Sequence, residues 1–262
     1  SDDTWEPEKL QTQVDFFRDH PDYGACFTLV NFVDEHGNAL TEKDTDRVLF
    51  WDTRNMSQAE WLRHFYFYGC IVSHPTAMFP RSVIEKVGLY NLGYVQVQDY
   101  DMWTRIVKHY PIHIIRKKLT NYRWFTTGAN ASAPSEKASR RSNFEFSQIF
   151  CTFFDDIPDK LFIDAFGTEF SHKGTTNTDE LNVERMLLLF KPVFCGSVPQ
   201  LAGAQMFLRL LKDEKMREVL RDRYDLTQIS LYELTAKPIL FEGNSYTPTP
   251  QTIITPIKKR VS

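Results

Sequence analysis

Apolar residues recur at helical spacing in several stretches of the first half of the chain. Leu10, Val14 and Phe17 predict a helix over residues 6–20, and the aromatic run 57–68 predicts a second one. A further helix is expected to begin at or beside Asp99, where a polar cluster precedes a periodic apolar pattern. Its buried face would carry Met102, Trp103, Ile106 and Tyr110.

Extended segments separate these helices. The apolar run 24–33 predicts a strand, and residues 70–79 predict a second extended segment that His74-Pro75 interrupts. Two further stretches, 112–115 and 119–124, also have strand-like composition. Because strands alternate with helices, the first half is predicted to be an α/β domain.

The pattern changes in the second half. Residues 126–142 are small and polar, and helical periods dominate after them, including an aromatic face that should be covered by other helices or a second subunit. The acidic residues of this helical half are expected to be solvated on polar faces and to contribute no catalytic carboxylate.

The predicted division of the chain is a domain at 1–132, a linker at 133–142, a helical region at 143–237 and an extended tail at 238–262. The aromatic face comprises Phe146, Ile149, Phe150, Phe153 and Phe154.

Composition excludes several classes of protein. The 262 residues are 42% hydrophobic and 25% charged, as in a globular protein with a sizeable core, and a net charge of −3 gives no field that would recruit nucleic acid. The four cysteines form no C-x-x-C pair and predict free thiols in a reducing compartment. No membrane span or signal peptide is evident, so a cytoplasmic location is expected, with peripheral membrane association as a less favoured alternative.

Two adjacent carboxylates are the first candidate for chemistry. Asp2 and Asp3 directly precede the first predicted helix. Mg²⁺ or Mn²⁺ on a diphosphate is held by one or two carboxylates together with the phosphates and water. An aspartate before a helix is also a common N-cap, and this reading stays open.

A second candidate lies at the start of the helix near Asp99. A carboxylate at a strand-to-helix turn could act as a general base on a hydroxyl group. Asp99 could equally cap the helix, with Trp103 in the core. His74, before Pro75, is either part of the site or a hydrogen-bonded structural histidine.

The order of these motifs resembles that of family 2 glycosyltransferases of the GT-A type. Asp2 and Asp3, in SDDTWEPEKL, are similar to the metal-binding Asp-x-Asp segment, and SHPTAMFPRSVIEKVGLYN followed by QDYDMWTRI is similar to the acceptor-side segment and its base motif. The resemblance covers about residues 1–132. It implies part of a GT-A, Rossmann-like nucleotide-sugar transferase domain that lacks its N-terminal half, followed by a mostly helical region.

The resemblance also implies roles for single residues. Asp2 and Asp3 would bind Mg²⁺ or Mn²⁺ and the diphosphate, and Asp99 would be the base of an inverting displacement, facing the same cleft. The partners would be a nucleotide-sugar donor and a glycan or lipid-linked acceptor. The acceptor side would include His74, Trp103 and Arg105, and Arg123 would contact the donor phosphate.

Three departures from the family pattern weigh against activity. Gln98 stands where the family usually has Glu, and Trp124 to Thr126 occupy the stretch where it often has a metal- or phosphate-binding His. The nucleotide-binding half is expected before Ser1; alternatively, another chain supplies it or the open sheet edge associates with a second copy. The competing functions are a non-catalytic binding or scaffold module and, less favoured, a metal-dependent hydrolase.

Overall fold

The first half of the chain contains a three-stranded mixed sheet. The structure, a computed structural model, describes residues 2–41, 54–125 and 135–236. Strand β3 (Ile112–Arg123) is central, with β1 (Thr4–Trp5) antiparallel on one side and β2 (Ala25–Val33) parallel on the other. The parallel pair requires a long crossover, which the helices between β2 and β3 provide.

Three of the predicted extended segments differ from the structure. The stretches 112–115 and 119–124 belong to one strand, β3, whose register against β2 shifts at Thr28–Val30. Residues 70–79 were predicted as a strand, but they form a short 3-10 helix at His74–Thr76 and a single bridge from Met78 to Cys26. Pro75 lacks the backbone N–H that a ladder needs, which accounts for the turn.

Helices cover both faces of the sheet. On one face, Gln13 of α1 (Lys9–Asp19) donates to the carbonyls of Cys26 and Thr76. On the other face, Phe27 packs edge-on against Trp103 at 5.0 Å between ring centroids. The side chains of adjacent strand residues point to opposite faces, so Cys26 and Phe27 meet different helices.

The buried face of α1 is polar, although apolar residues recur along the helix. Leu10 and Val14 are about half exposed, whereas Lys9 and Gln13 are fully buried beneath them. Lys9 Nζ donates to Gln13 Oε1 at 2.7 Å and lies over the Trp5 ring. The polar stripe faces the sheet because the amide of Gln13 satisfies backbone carbonyls there.

The helices between β2 and β3 agree more closely with what the sequence predicts for them. Helix α2 (Gln58–Tyr68) begins with a capping box between Ser57 and Glu60. After α3 (Arg81–Val87), α4 (Gln98–Val107) buries Met102, Trp103 and Ile106 completely, as predicted. The prediction for Tyr110 was wrong, because the helix ends before this residue, which is only partly buried.

The helical region is continuous with the first half. Helix α5 (Glu136–Thr152) begins inside the predicted linker 133–142, of which residues 133 and 134 lie outside the described residues. Its predicted aromatic face is buried, and Tyr66 of α2 packs against Phe150 and Phe153. The expectation that this face is covered by other helices is confirmed, and one hydrophobic core joins both halves. The remaining helices are α6 (Asp159–Phe166), α7 (Thr178–Leu188), α8 (Gln200–Leu210), α9 (Glu214–Tyr224) and α10 (Gln228–Thr235).

The acids of the helical region are not all solvated, contrary to the prediction. Glu145 and Glu184 are each 1% exposed, and both accept hydrogen bonds from backbone N–H groups of distant segments. Buried carboxylates are retained where such donors compensate the loss of water. The predicted tail 238–262 lies outside the described residues, and within these residues every helix is too short or too polar to cross a bilayer.

Candidate functional site

The predicted residues fall into two clusters, and the first lies where β2 and β3 end. The Arg123 N–H donates to Asp3 Oδ1 at 2.9 Å, which places Asp3 beside the end of β3. Asp2 is exposed next to it. Burial raises the pKa of the Asp3 carboxyl and the charge of Asp2 adds to the rise, whereas the Arg123 N–H opposes it.

The Arg123 side chain ties this cluster together. Its Nε donates to the carbonyl of Asp2 at 3.0 Å, and its Nη1 donates to those of Asp34 and Glu35 at 3.1 and 2.7 Å. The guanidinium therefore connects the segment before α1, the turn after β2 and the end of β3. These bonds give Arg123 a structural role at the position where the sequence predicts a phosphate contact.

The second cluster surrounds Asp99 in the first turn of α4. Val97 is the N-cap residue, and Asp99 Oδ1 accepts the N–H of Tyr100 at 2.7 Å. The hydroxyl of Tyr90 lies 3.2 Å from Nε2 of the exposed His74, within hydrogen-bond distance. The His74 and Tyr90 rings pack together at 5.7 Å between centroids, and the His74 ring also lies 5.9 Å from that of Trp103, one helical turn after Asp99.

The charge of Asp99 interacts with both His74 and Tyr90. Burial raises the pKa of Asp99, and the neighbouring Tyr100 N–H and His74 partly oppose the rise. Burial also raises the pKa of Tyr90 to about 12, with the Asp99 charge as a second cause. The pKa of the Cys70 thiol is raised by burial and by Asp99 in the same way. A carboxylate that is held at an elevated pKa is a stronger proton acceptor than an exposed aspartate.

The other two predicted acceptor-side residues are engaged in packing or in the backbone. Trp103 is fully buried, with its ring against Phe27. Arg105 pairs with Asp101 at 2.8 Å and donates to the carbonyls of the segment after α3, including Leu89 at 3.1 Å. Arg105 therefore holds the segment after α3 in place, and Trp103 belongs to the hydrophobic core. The burial of Trp103 agrees with the core alternative that the sequence left open.

Metal binding at Asp2 and Asp3 would need ligands other than the described side chains. Within the described residues no three His, Cys, Asp or Glu side chains converge on one point. Asp3 Oδ2 and the exposed Asp2 carboxylate make no hydrogen bond in the described part of the chain. Their oxygens fit a hard divalent ion whose other ligands are phosphate and water.

Sequence reasoning assigned no individual role to Tyr90, although it lies within the motif SHPTAMFPRSVIEKVGLYN, or to Glu145. Tyr90 follows α3 in a segment that lacks helical or strand periodicity, so no local pattern indicated its contact with His74. Glu145 lies on a distant helix, and its carboxylate accepts the backbone N–H groups of Val95, Gln96 and Val97 just before α4. In the sequence, the signal for Glu145 is its position between Phe144 and Phe146 in the aromatic helical segment.

Known proteins that the chain resembles are named as glycosyltransferases. No protein-family model matches the chain. An uncharacterized glycosyltransferase of Methanocaldococcus jannaschii is 28% identical over 124 residues, which cover 47% of this chain and 39% of that protein. An uncharacterized glycosyltransferase of Rickettsia conorii is 28% identical over 182 residues, covering 68% of this chain and 28% of the relative. One of Rickettsia felis is 26% identical over 167 residues, covering 62% and 25%.

The similarity supports glycosyl transfer as the class of function. The matched stretches cover between 25% and 39% of the relatives' length, so this chain corresponds to less than half of each of these proteins.

Proposed function

We propose that this chain is the acceptor-side part of a family 2, GT-A type glycosyltransferase that transfers a sugar with inversion from a nucleoside-diphosphate donor. The observation that carries the proposal is the half-buried Asp99 carboxylate, at raised pKa, beside His74 and Tyr90. The relatives' names agree with the reaction class. The acceptor is a glycan or a lipid-linked glycan, and the site is completed by residues of the longer protein.

In the proposed reaction Asp99 accepts the proton of an acceptor hydroxyl. The hydroxyl oxygen forms a bond to the anomeric carbon while the bond from that carbon to the diphosphate oxygen breaks. The electron pair of the broken bond leaves with the nucleoside diphosphate. His74 and Tyr90, whose polar atoms lie within hydrogen-bond distance of each other, orient the acceptor hydroxyl towards Asp99.

Asp2 and Asp3 would hold Mg²⁺ or Mn²⁺ against the diphosphate of the donor. The bound ion would stabilise the negative charge that develops on the leaving diphosphate. A bound cation would favour the ionised carboxylate of Asp3 and so oppose the effects of burial and of the Asp2 charge. Arg123 would keep the Asp2–Asp3 segment in place through its carbonyl contacts.

The proposal can be tested with variants of the full-length protein. Release of nucleoside diphosphate from a panel of UDP- and GDP-sugars, with Mn²⁺ and with or without glycan acceptors, measures turnover. Asp99→Asn should lower kcat by about 10²-fold or more, since general-base catalysis contributes on this order. Binding of UDP or GDP with Mn²⁺ should survive in this variant and be lost in Asp3→Asn. Asp164→Asn, an exposed position on α6, is the matched control.

Two further readouts separate catalysis from folding. Because the folded pKa of Asp99 is raised, its ionised form opposes folding above the unfolded pKa, so Asp99→Asn should be at least as stable as the wild type at pH 7. In the wild type, kcat/KM should rise with pH through a pKa above the ordinary value of about 3.9. Equal loss of turnover and nucleotide binding in Asp99→Asn would argue against the catalytic assignment.

A non-catalytic binding module is the second candidate function. Gln98 favours it, because a neutral amide stands beside Asp99 where the family usually has a second carboxylate. Under this reading the full-length protein binds UDP or GDP with Mn²⁺ and releases no nucleoside diphosphate from any donor.

A further inference from the structure

The segment 88–97, which joins α3 to α4, brings Tyr90 to His74 and leads directly into Asp99. It contains neither helix nor strand, so other parts of the protein must fix its path. At its beginning, Arg105 donates to the carbonyls of Gly88 and Leu89 at 3.2 and 3.1 Å. The first anchor is therefore a positive charge from α4 itself.

The second anchor is a negative charge from the helical region. Glu145 of α5 is 1% exposed, and its Oε1 accepts the N–H of Val95 at 3.0 Å. Its Oε2 accepts the N–H groups of Gln96 and Val97 at 2.9 and 3.0 Å. All three donors immediately precede α4, whose N-cap residue Val97 has no side-chain oxygen of its own.

This arrangement needs a carboxylate. Three converging N–H donors require acceptor oxygens on both branches of the side chain, and a negative charge near a helix N-terminus is favourable. In Glu145→Gln one oxygen becomes an NH₂ group that faces N–H donors. At least one buried N–H then loses its acceptor, and the start of α4 must move to recover it.

We propose that Glu145 is a positioning residue for the Asp99 base, acting through the backbone of Val95–Val97. Glu145 contacts no reacting atom in this scheme. It fixes where α4 begins, and hence where Asp99 and Tyr90 lie relative to the acceptor hydroxyl. The inference rests on the proposed function, and it makes the helical region part of the catalytic apparatus.

The test compares Glu145→Gln with Glu184→Gln in the full-length protein. Glu184 is equally buried and accepts two backbone N–H groups, from Ser171 and His172, away from the segment 88–97. Glu145→Gln should lower kcat by about 10-fold or more, as misplacement of a catalytic group does, with binding of UDP and Mn²⁺ within about 2-fold of the wild type. Glu184→Gln should keep kcat within about 2-fold, and Glu145→Asp should restore part of the lost kcat.

Two combinations distinguish positioning from general destabilisation. If Glu145 acts through Asp99, adding Glu145→Gln to Asp99→Asn should cause no further loss of kcat. Hydrogen exchange at residues 95–101 should be faster in Glu145→Gln than in Glu184→Gln. If Glu145→Gln does not fold, Glu145→Asp is measured in its place. It too should have a lower kcat than the wild type while its binding of UDP and Mn²⁺ is retained.

The outcomes separate the two proposals. A wild type that releases no nucleoside diphosphate from any donor overturns the proposed function and this inference with it. An active, Asp99-dependent wild type whose kcat survives Glu145→Gln overturns the role of Glu145 alone. An equal loss of kcat in Glu145→Gln and Glu184→Gln also overturns it.

Discussion

Replacing Arg123 by lysine tests whether this residue serves the fold or the donor phosphate. Lysine keeps the positive charge that a phosphate contact needs. Its single Nζ cannot reproduce the three bonds from Arg123 Nε and Nη1 to the carbonyls of Asp2, Asp34 and Glu35. The substitution therefore removes most of the structural contacts and little of the charge.

The expected loss of stability follows from those contacts. If lysine retains one of the three bonds, two are lost, at about 1 to 1.5 kcal/mol each after allowing for partial exposure of the site. The total is about 2–3 kcal/mol, which corresponds to a fall in Tm of roughly 4–12 °C for a domain of this size. Binding of UDP with Mn²⁺ should weaken only as far as the Asp2–Asp3 segment loosens.

Thermal unfolding followed by circular dichroism, with calorimetric titration of UDP and Mn²⁺, measures both effects in the full-length protein. Arg81→Lys is the matched control, because the Arg81 side chain is 92% exposed and pairs only with Glu85 among the contacts within the described residues. Its effect should stay within about 0.5 kcal/mol. A Tm of Arg123→Lys within about 1 °C of the wild type, together with strongly weakened UDP binding, would refute the structural role.

Two predictions concern stability elsewhere in the fold. The Asn55 side chain donates from Nδ2 to the carbonyl of the buried Ile114 at 2.9 Å, and its Oδ1 accepts the Ile114 N–H at 2.6 Å. Asn55→Ala should therefore lower the free energy of unfolding in urea by about 1–3 kcal/mol. No change in the urea midpoint would show that water replaces the amide. Phe150→Ala should cost about 3–5 kcal/mol, because Phe150 is 1% exposed between Tyr66 and Phe153. The exposed Phe144 of the same helix is the control, and equal effects at the two positions would contradict the packing of α5 against α2.

The sequence by itself determined the elements whose signals are local. The run 24–33 became β2 with little change, and α4 buries Met102, Trp103 and Ile106 as its periodicity predicted. The start of α2 was marked by Ser57, which forms a capping box with Glu60. Such features depend on residues two to four positions apart, so their physical cause is contained in a short stretch of sequence.

Part of the candidate site was also predictable. The motif order drew attention to Asp99 and His74, and in the structure the His74 ring contacts Tyr90 and Trp103, the latter one helical turn after Asp99. It also gathers Asp2, Asp3 and Arg123 at the end of β3, where the main observed contact of Arg123 is with backbone carbonyls. The distinction between a ligand contact and a structural contact depends on which acceptors surround the guanidinium, and these acceptors come from segments far apart in the sequence.

Only the tertiary structure decided the polar contacts between distant segments. The spacing of Leu10 and Val14 predicted the helix α1, yet both side chains are about half exposed. Lys9 and Gln13 face the sheet instead, because the Gln13 amide meets carbonyls of Cys26 and Thr76. Glu145 is buried for the same reason: the start of α4 presents three N–H groups that need an acceptor. Burial of a polar side chain depends on partners that the fold supplies, and periodicity contains no information about them.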